Sequence, residues 1–66
     1  MSIGQNIAKT RIDKRIFQKD LAKMVGITPT YLCQIERDTL GRYVASAGLI
    51  EKIAMALNVP TSELLK

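Results

Sequence analysis

Six of the first 23 residues carry positive charge: Lys9, Arg11, Lys14, Arg15, Lys19 and Lys23, against only Asp13 and Asp20. Residues 24–66 balance Arg37, Arg42, Lys52 and Lys66 with Glu36, Asp38, Glu51 and Glu63. The net charge of +4 therefore sits in the N-terminal third, a distribution suited to a polyanionic partner. Charge alone fits a solvated surface better, so the partner has to be argued from a motif. Other chemistries find no residues to carry them. Histidine is absent, which removes imidazole-based catalysis. The sequence shows no cluster at metal-ligand spacing, no nucleophile paired with a base, and no glycine loop spaced to cradle a phosphate. It predicts no enzyme, no cofactor and no metal. The one cysteine, Cys33, excludes an intramolecular disulfide and fits a reducing cytoplasm. Cys33 reads as a small part-buried hydrophobe before it reads as a redox switch.

What must position any contact is the stretch Gln18–Arg37, QKDLAKMVGITPTYLCQIER. Leu21, Ala22 and Val25, at i, i+1 and i+4, fall on one helical face. Gly26 reaches positive φ without a Cβ clash and can end that helix sharply. Thr28 is placed as the N-cap of a second helix, its hydroxyl able to accept an orphan backbone N–H. Pro29 follows at the first helical position, where a missing N–H costs nothing. Leu32 and Ile35 form the apolar face of this second helix. The stretch predicts helix, tight turn, helix, with Ala22 small enough to let the two cross closely.

In Leu21-Ala22, the turn Gly26-Ile27 and the closing Ile35-Glu36-Arg37, the chain resembles the helix-turn-helix of the phage repressor and Cro-like family of bacterial regulators. The resemblance implies an all-α, compact five-helix, lambda-repressor-like DNA-binding domain whose second motif helix lies in the major groove. It also implies that the start and outward face of that helix, namely Thr28, Pro29, Thr30, Tyr31 and Gln34, approach the bases. Thr30 can hydrogen-bond a base edge or offer its methyl to thymine, and Gln34 can pair bidentately with adenine. Pro29 departs from the hydrogen-bonding residue many relatives carry, and could pack on a thymine methyl. Gln18, opening the first motif helix, would reach a phosphate with its amide and the helix's backbone N–H groups. Tyr31 and Arg37 are further phosphate candidates.

Elsewhere the chain reads as follows. Ser2 and Gln5 have the form of a capping box, predicting a helix over Ile3–Lys14 with Ile3, Ile7 and Thr10-Arg11 on one face. Arg11 on that stripe needs a partner, and the resemblance supplies Glu36, as a clamp on the motif rather than a DNA contact. Ile16 is expected in the core. Phe17 stands where the family usually has a capping serine or threonine and cannot cap; core is preferred over contact with DNA sugars. Asp20 can compensate through the helix dipole. Asp38 replaces the family's usual glycine, and the loop over 38–45 is about three residues longer than the usual form. There Arg42 offers a phosphate contact and Tyr43 an aromatic ring, or Tyr43 or Val44 tucks onto the core. Ser46 caps a helix over Ala47–Leu57, Asn58-Val59-Pro60 breaks it, and a short last helix runs to Leu65.

These features predict one domain over residues 1–66, with the motif at about 18–37. A chain of this size buries only about 60% of its unfolded surface, so association would help it. The expected function is a cytoplasmic, sequence-specific transcriptional regulator. It would be a homodimeric repressor reading a near-palindromic operator in double-stranded DNA. Leu49, Ile53, Val59, Leu64 and Leu65 are the expected dimer surface. The alternative is an antitoxin that neutralises a partner toxin and binds its own promoter; no additional segment suggests a toxin-binding arm. No apolar run approaches the ~20 residues that span a bilayer, and no signal-peptide pattern is present.

Overall fold

Three helices start where a hydroxyl can replace a missing backbone acceptor. In α1 (Ile3–Asp13) the capping box forms: Ser2 Oγ accepts from Gln5 N at 3.2 Å, and Gln5 Oε1 from Ser2 N at 3.1 Å. In α3 (Pro29–Arg37) Thr28 Oγ1 accepts from Tyr31 N at 3.1 Å, with Pro29 at the first position. In α4 (Ala47–Leu57) Ser46 Oγ accepts from Leu49 N at 3.2 Å. The exception is α2 (Gln18–Val25), where Phe17 occupies the cap without a side-chain bond and Asp20 lies in the first turn. The computed structural model describes residues 2–38 and 45–66; among these the secondary structure is wholly helical. The expectations for Arg42, Tyr43 and Val44 lie outside the described residues.

Three of the four α-helices, α1, α2 and α4, end by one device. Arg15, Gly26 and Asn58 take left-handed backbone conformations, with φ of 59°, 78° and 57°. At each, the next residue's N–H reaches back to the carbonyl five positions earlier. These bonds are Ile16 to Arg11 at 3.1 Å, Ile27 to Ala22 at 2.9 Å, and Val59 to Ala54 at 3.0 Å. This is the Schellman termination, which brings an apolar residue back onto the helix it closes. Ile16, Ile27 and Val59 accordingly pack against the core. Glycine and asparagine adopt this conformation readily, but an arginine there is strained by ~1–2 kcal/mol.

The core gathers one face of every helix: Ile7, Leu21, Ala22, Val25, Leu32, Ile35, Ile50, Ile53, Ala54 and Leu57, closed by Ala45 and Leu64. Where α1 crosses α3, Gly4 lies against backbone, and a Cβ on it would fall onto the carbonyl oxygen of Ile35. Buried Asn6 donates through Nδ2 to the carbonyls of Leu64 and Lys66, each at 3.1 Å, tying α1 to residues 64–66.

Three expectations need correction. The fifth helix is a single 3₁₀ turn, Thr61–Glu63, so the fold has four α-helices and that turn among the described residues. Insertion of Leu64 into the core and the bonds from Asn6 end it there. Phe17 is not core but 71% exposed. It is the extended cap residue of α2, directly after Ile16, and while Ile16 packs against the core the Phe17 ring faces solvent. Ile53 and Leu64 are fully buried in this chain's own core and cannot form a dimer surface, whereas Leu65 is exposed and Leu49 and Val59 are half-buried.

Two substitutions should shift stability in opposite directions. In Gly4→Ala the added methyl meets backbone, so overpacking of ~1–3 kcal/mol outweighs the ~1 kcal/mol gained in helix propensity, and the melting temperature should fall. Arg15→Gly should relieve ~1 kcal/mol of left-handed strain and raise melting by roughly 4–8 °C. Thermal denaturation followed by circular dichroism measures both.

Candidate nucleic-acid interface

The inward face of α3 is committed to Leu32, Ile35 and Glu36, all buried. Helical spacing therefore aligns Thr30, Gln34 and Arg37, at i, i+4 and i+7, along the opposite face, and all three are exposed. Thr28 and Pro29 are exposed at the start of the helix. Tyr31 differs from them: it is half-buried and packs against the core, so its ring serves partly as wall. Cys33 is a free thiol of intermediate burial.

The orientation of α3 is held at its far end by a charge network. Arg11 Nε donates to Glu36 Oε2 at 2.8 Å, and Nη2 donates to Oε1 at 3.0 Å, a bidentate pair. The third arm, Nη1, donates to the Ile16 carbonyl at 2.9 Å. Gln18 Nε2 donates to the same Glu36 Oε1 at 3.0 Å. The side chains of Arg11 and Glu36 retain only 13% and 5% exposure, so the pair is largely shielded from water. One carboxylate thus joins α1, the turn after it, the first residue of α2 and the end of α3.

This places Gln18 differently from the sequence expectation. Its amide is engaged with Glu36 as well as standing at the start of α2, so a contact to phosphate must use its second N–H or the backbone. Gly4 and Asn6 also position the motif, through contacts that no local sequence pattern specifies. A glycine inside an otherwise regular helical pattern, disfavoured by ~1 kcal/mol relative to alanine, signals a close approach but not the partner.

Among the described residues, no group of three or more His, Cys, Asp or Glu side chains could hold a metal ion, and no helix is long and apolar enough to cross a membrane. Residues 4–66 match the Helix-turn-helix domain family. The chain belongs to that family. Within it the chain is similar to two proteins of one phage. It is 34% identical over 65 residues to the immunity repressor protein of Bacillus phage phi105, covering 98% of this chain and 43% of that one. It is 35% identical over 57 residues to the ImmF control region 10 kDa protein of the same phage, covering 86% of this chain and 60% of that one. The chain thus spans about half the length of these relatives. The fold superposes on the master regulator for biofilm formation SinR, solved in complex with DNA. The TM-score is 0.84 and the identity 33%, covering 97% of this chain and 98% of that one.

The helix-turn-helix should lose its footing when the network is broken. Glu36→Gln leaves Arg11 without its counter-charge, and stranding one member of a buried pair costs ~3–5 kcal/mol. A 66-residue domain holds only about 0.05–0.15 kcal/mol per residue. Melting should fall by roughly 12 °C or more, or the domain should unfold outright. The apolar double substitution Arg11→Met with Glu36→Leu should recover part of the loss, because no charge is then stranded.

Proposed function

We propose that this chain is a sequence-specific, DNA-binding transcriptional regulator, acting in the cytoplasm as a dimeric repressor. The observation that carries the reading is the exposed stripe Thr30–Gln34–Arg37 on a helix whose other face is buried, within a fold that superposes on a regulator solved on DNA. In this reading α3 enters the major groove by its N-terminal end. Thr30 and Gln34 face base edges, Pro29 and the Thr28 methyl supply apolar contact, and Arg37 reaches a phosphate. Gln18 and the backbone at the start of α2 meet the flanking phosphate, with Tyr31 against the backbone. Arg42 adds a phosphate contact from the segment after α3. Likeness to an immunity repressor supports repression over activation.

Dimerisation follows from information content, since one recognition helix reads too few base pairs to specify a genomic address. Two half-sites would lie one helical turn, about 34 Å, apart. With Ile53 and Leu64 inside the core, exposed Leu65 and half-buried Leu49 and Val59 remain for the interface. Selection of bound sequences from random DNA tests the function directly, and recovery of no enriched motif would refute it.

Gln34 and Arg37 should respond differently to truncation. Gln34→Ala should relax preference at one base pair per half-site by roughly 1–3 kcal/mol, leaving stability and salt dependence unchanged because the side chain is exposed. Arg37→Ala should weaken specific and random DNA alike. It should also reduce the slope of log K against log salt by about 0.9 for each half-site phosphate lost. Binding constants on single-base operator variants at several salt concentrations separate the two roles.

A further inference from the structure

A second surface lies away from the outward face of α3. The end of α2 and the second half of α4 border an open groove of about 750 Å³, whose apolar lining is Met24, Val25, Met55 and Ala56. Met24 is 58% exposed and Met55 80% exposed, the latter the most exposed large apolar side chain among the described residues. Beyond Met55 the apolar surface continues into a smaller hollow beside Val59 and Pro60. Lys23 and Lys52, both exposed, also line the groove, one from each helix, and their charged ends reach solvent at its edge. Asp20 and Glu51, the acidic residues of these two helices, are not part of the lining. No residue of α3 contributes to it.

We propose that this groove docks an acidic amphipathic helix of a partner protein. Two packed helices leave between them a trough whose natural occupant is a third helix laid in by its apolar stripe. Unbranched, polarizable methionines suit such a lining, because they repack around different apolar side chains. Lysines at the edge select the flanks: glutamates or aspartates bordering the stripe meet a cation from each helix, and basic flanks are repelled. The same charges oppose a second copy of this chain. A two-fold contact sets one patch against a copy of itself, so a groove edged by lysines would face another edged by the same lysines, in a chain of net charge +4. DNA is a poor fit to a methionine lining, although it would suit the lysines alone. The assignment does not depend on the reading of α3.

The test uses the intact chain and two synthetic 18-residue helical peptides sharing one leucine stripe. One peptide carries glutamates along both flanks and the other lysines. Titration followed by two-dimensional NMR should shift the Met24 and Met55 methyl resonances with the acidic peptide, at an affinity of about 10–100 µM. The lysine-flanked peptide should bind at least about tenfold more weakly. Met55→Glu should abolish binding while leaving the melting temperature unchanged, because that side chain is solvent-facing. Lys23→Glu with Lys52→Glu should reverse the preference between the peptides. Equal binding of both peptides, or shifts confined to another surface, would overturn the proposal. So would a chain that sediments as a dimer and becomes monomeric on Met55→Glu, which would make the occupant a second copy. A double lysine variant that weakens DNA binding while treating both peptides as wild type does would also overturn it, assigning the lysines to DNA.

Discussion

Glu36 accepts three hydrogen bonds from two side chains that lie on different helices, and the angle at which α3 leaves the core depends on them. Arg11 reaches it from α1 and Gln18 from the first residue of α2, while Arg11 also holds the carbonyl of Ile16 between them. In a shielded setting each of these groups would be costly if left alone. The network is therefore satisfied as a whole or not at all. No side-chain N or O buried among the described residues lacks a partner. Apolar contacts from Leu32 and Ile35 hold α3 against the core, but such contacts are non-directional. The bidentate pair fixes register and rotation.

That fixation bears on the proposed reading of DNA by α3. A helix that reads base edges must present its side chains within a fraction of an ångström, and rigid support from beneath is what supplies such precision. α3 is bound at both ends: at its start by the Thr28 cap and Pro29, at its last turn by Glu36. Close approach to α1 at Gly4 removes the remaining slack, since backbone there meets backbone. Thr30, Gln34 and Arg37 are left outside, with the inward face fully used.

Local chemistry is orderly except at one corner. Caps at Ser2, Thr28 and Ser46, and the left-handed residues Gly26 and Asn58, all follow ordinary preference. Between α1 and α2 two choices run against it, a left-handed Arg15 and an exposed, non-capping Phe17. Both border the Ile16 carbonyl that Arg11 holds, and tertiary contacts there override local propensity. The Schellman termination demands the conformation of Arg15 because Ile16 must fold back onto the core, while the Phe17 ring next to it faces solvent.

How much was legible in the sequence divides along physical lines. Short-range patterns determined the four α-helices, the three hydroxyl caps and the motif's turn, because capping and glycine geometry act over three to five residues and read out directly from order along the chain. The same patterns separated Leu32 and Ile35 from Thr30 and Gln34, since helical spacing alone puts them on opposite faces. The partner of Arg11 came from family likeness, 25 residues away in sequence. Only the tertiary structure decided the rest. It set Gln18 onto Glu36, folded Leu64 and Ile53 inward rather than onto a partner, and turned Phe17 out. It also made Gly4 a point of backbone contact, bound Asn6 to residues 64 and 66, and opened the methionine groove between α2 and α4. Each of these depends on which helix faces which. That is set by the sum of many non-directional apolar contacts and carries no signature at any single position in the chain.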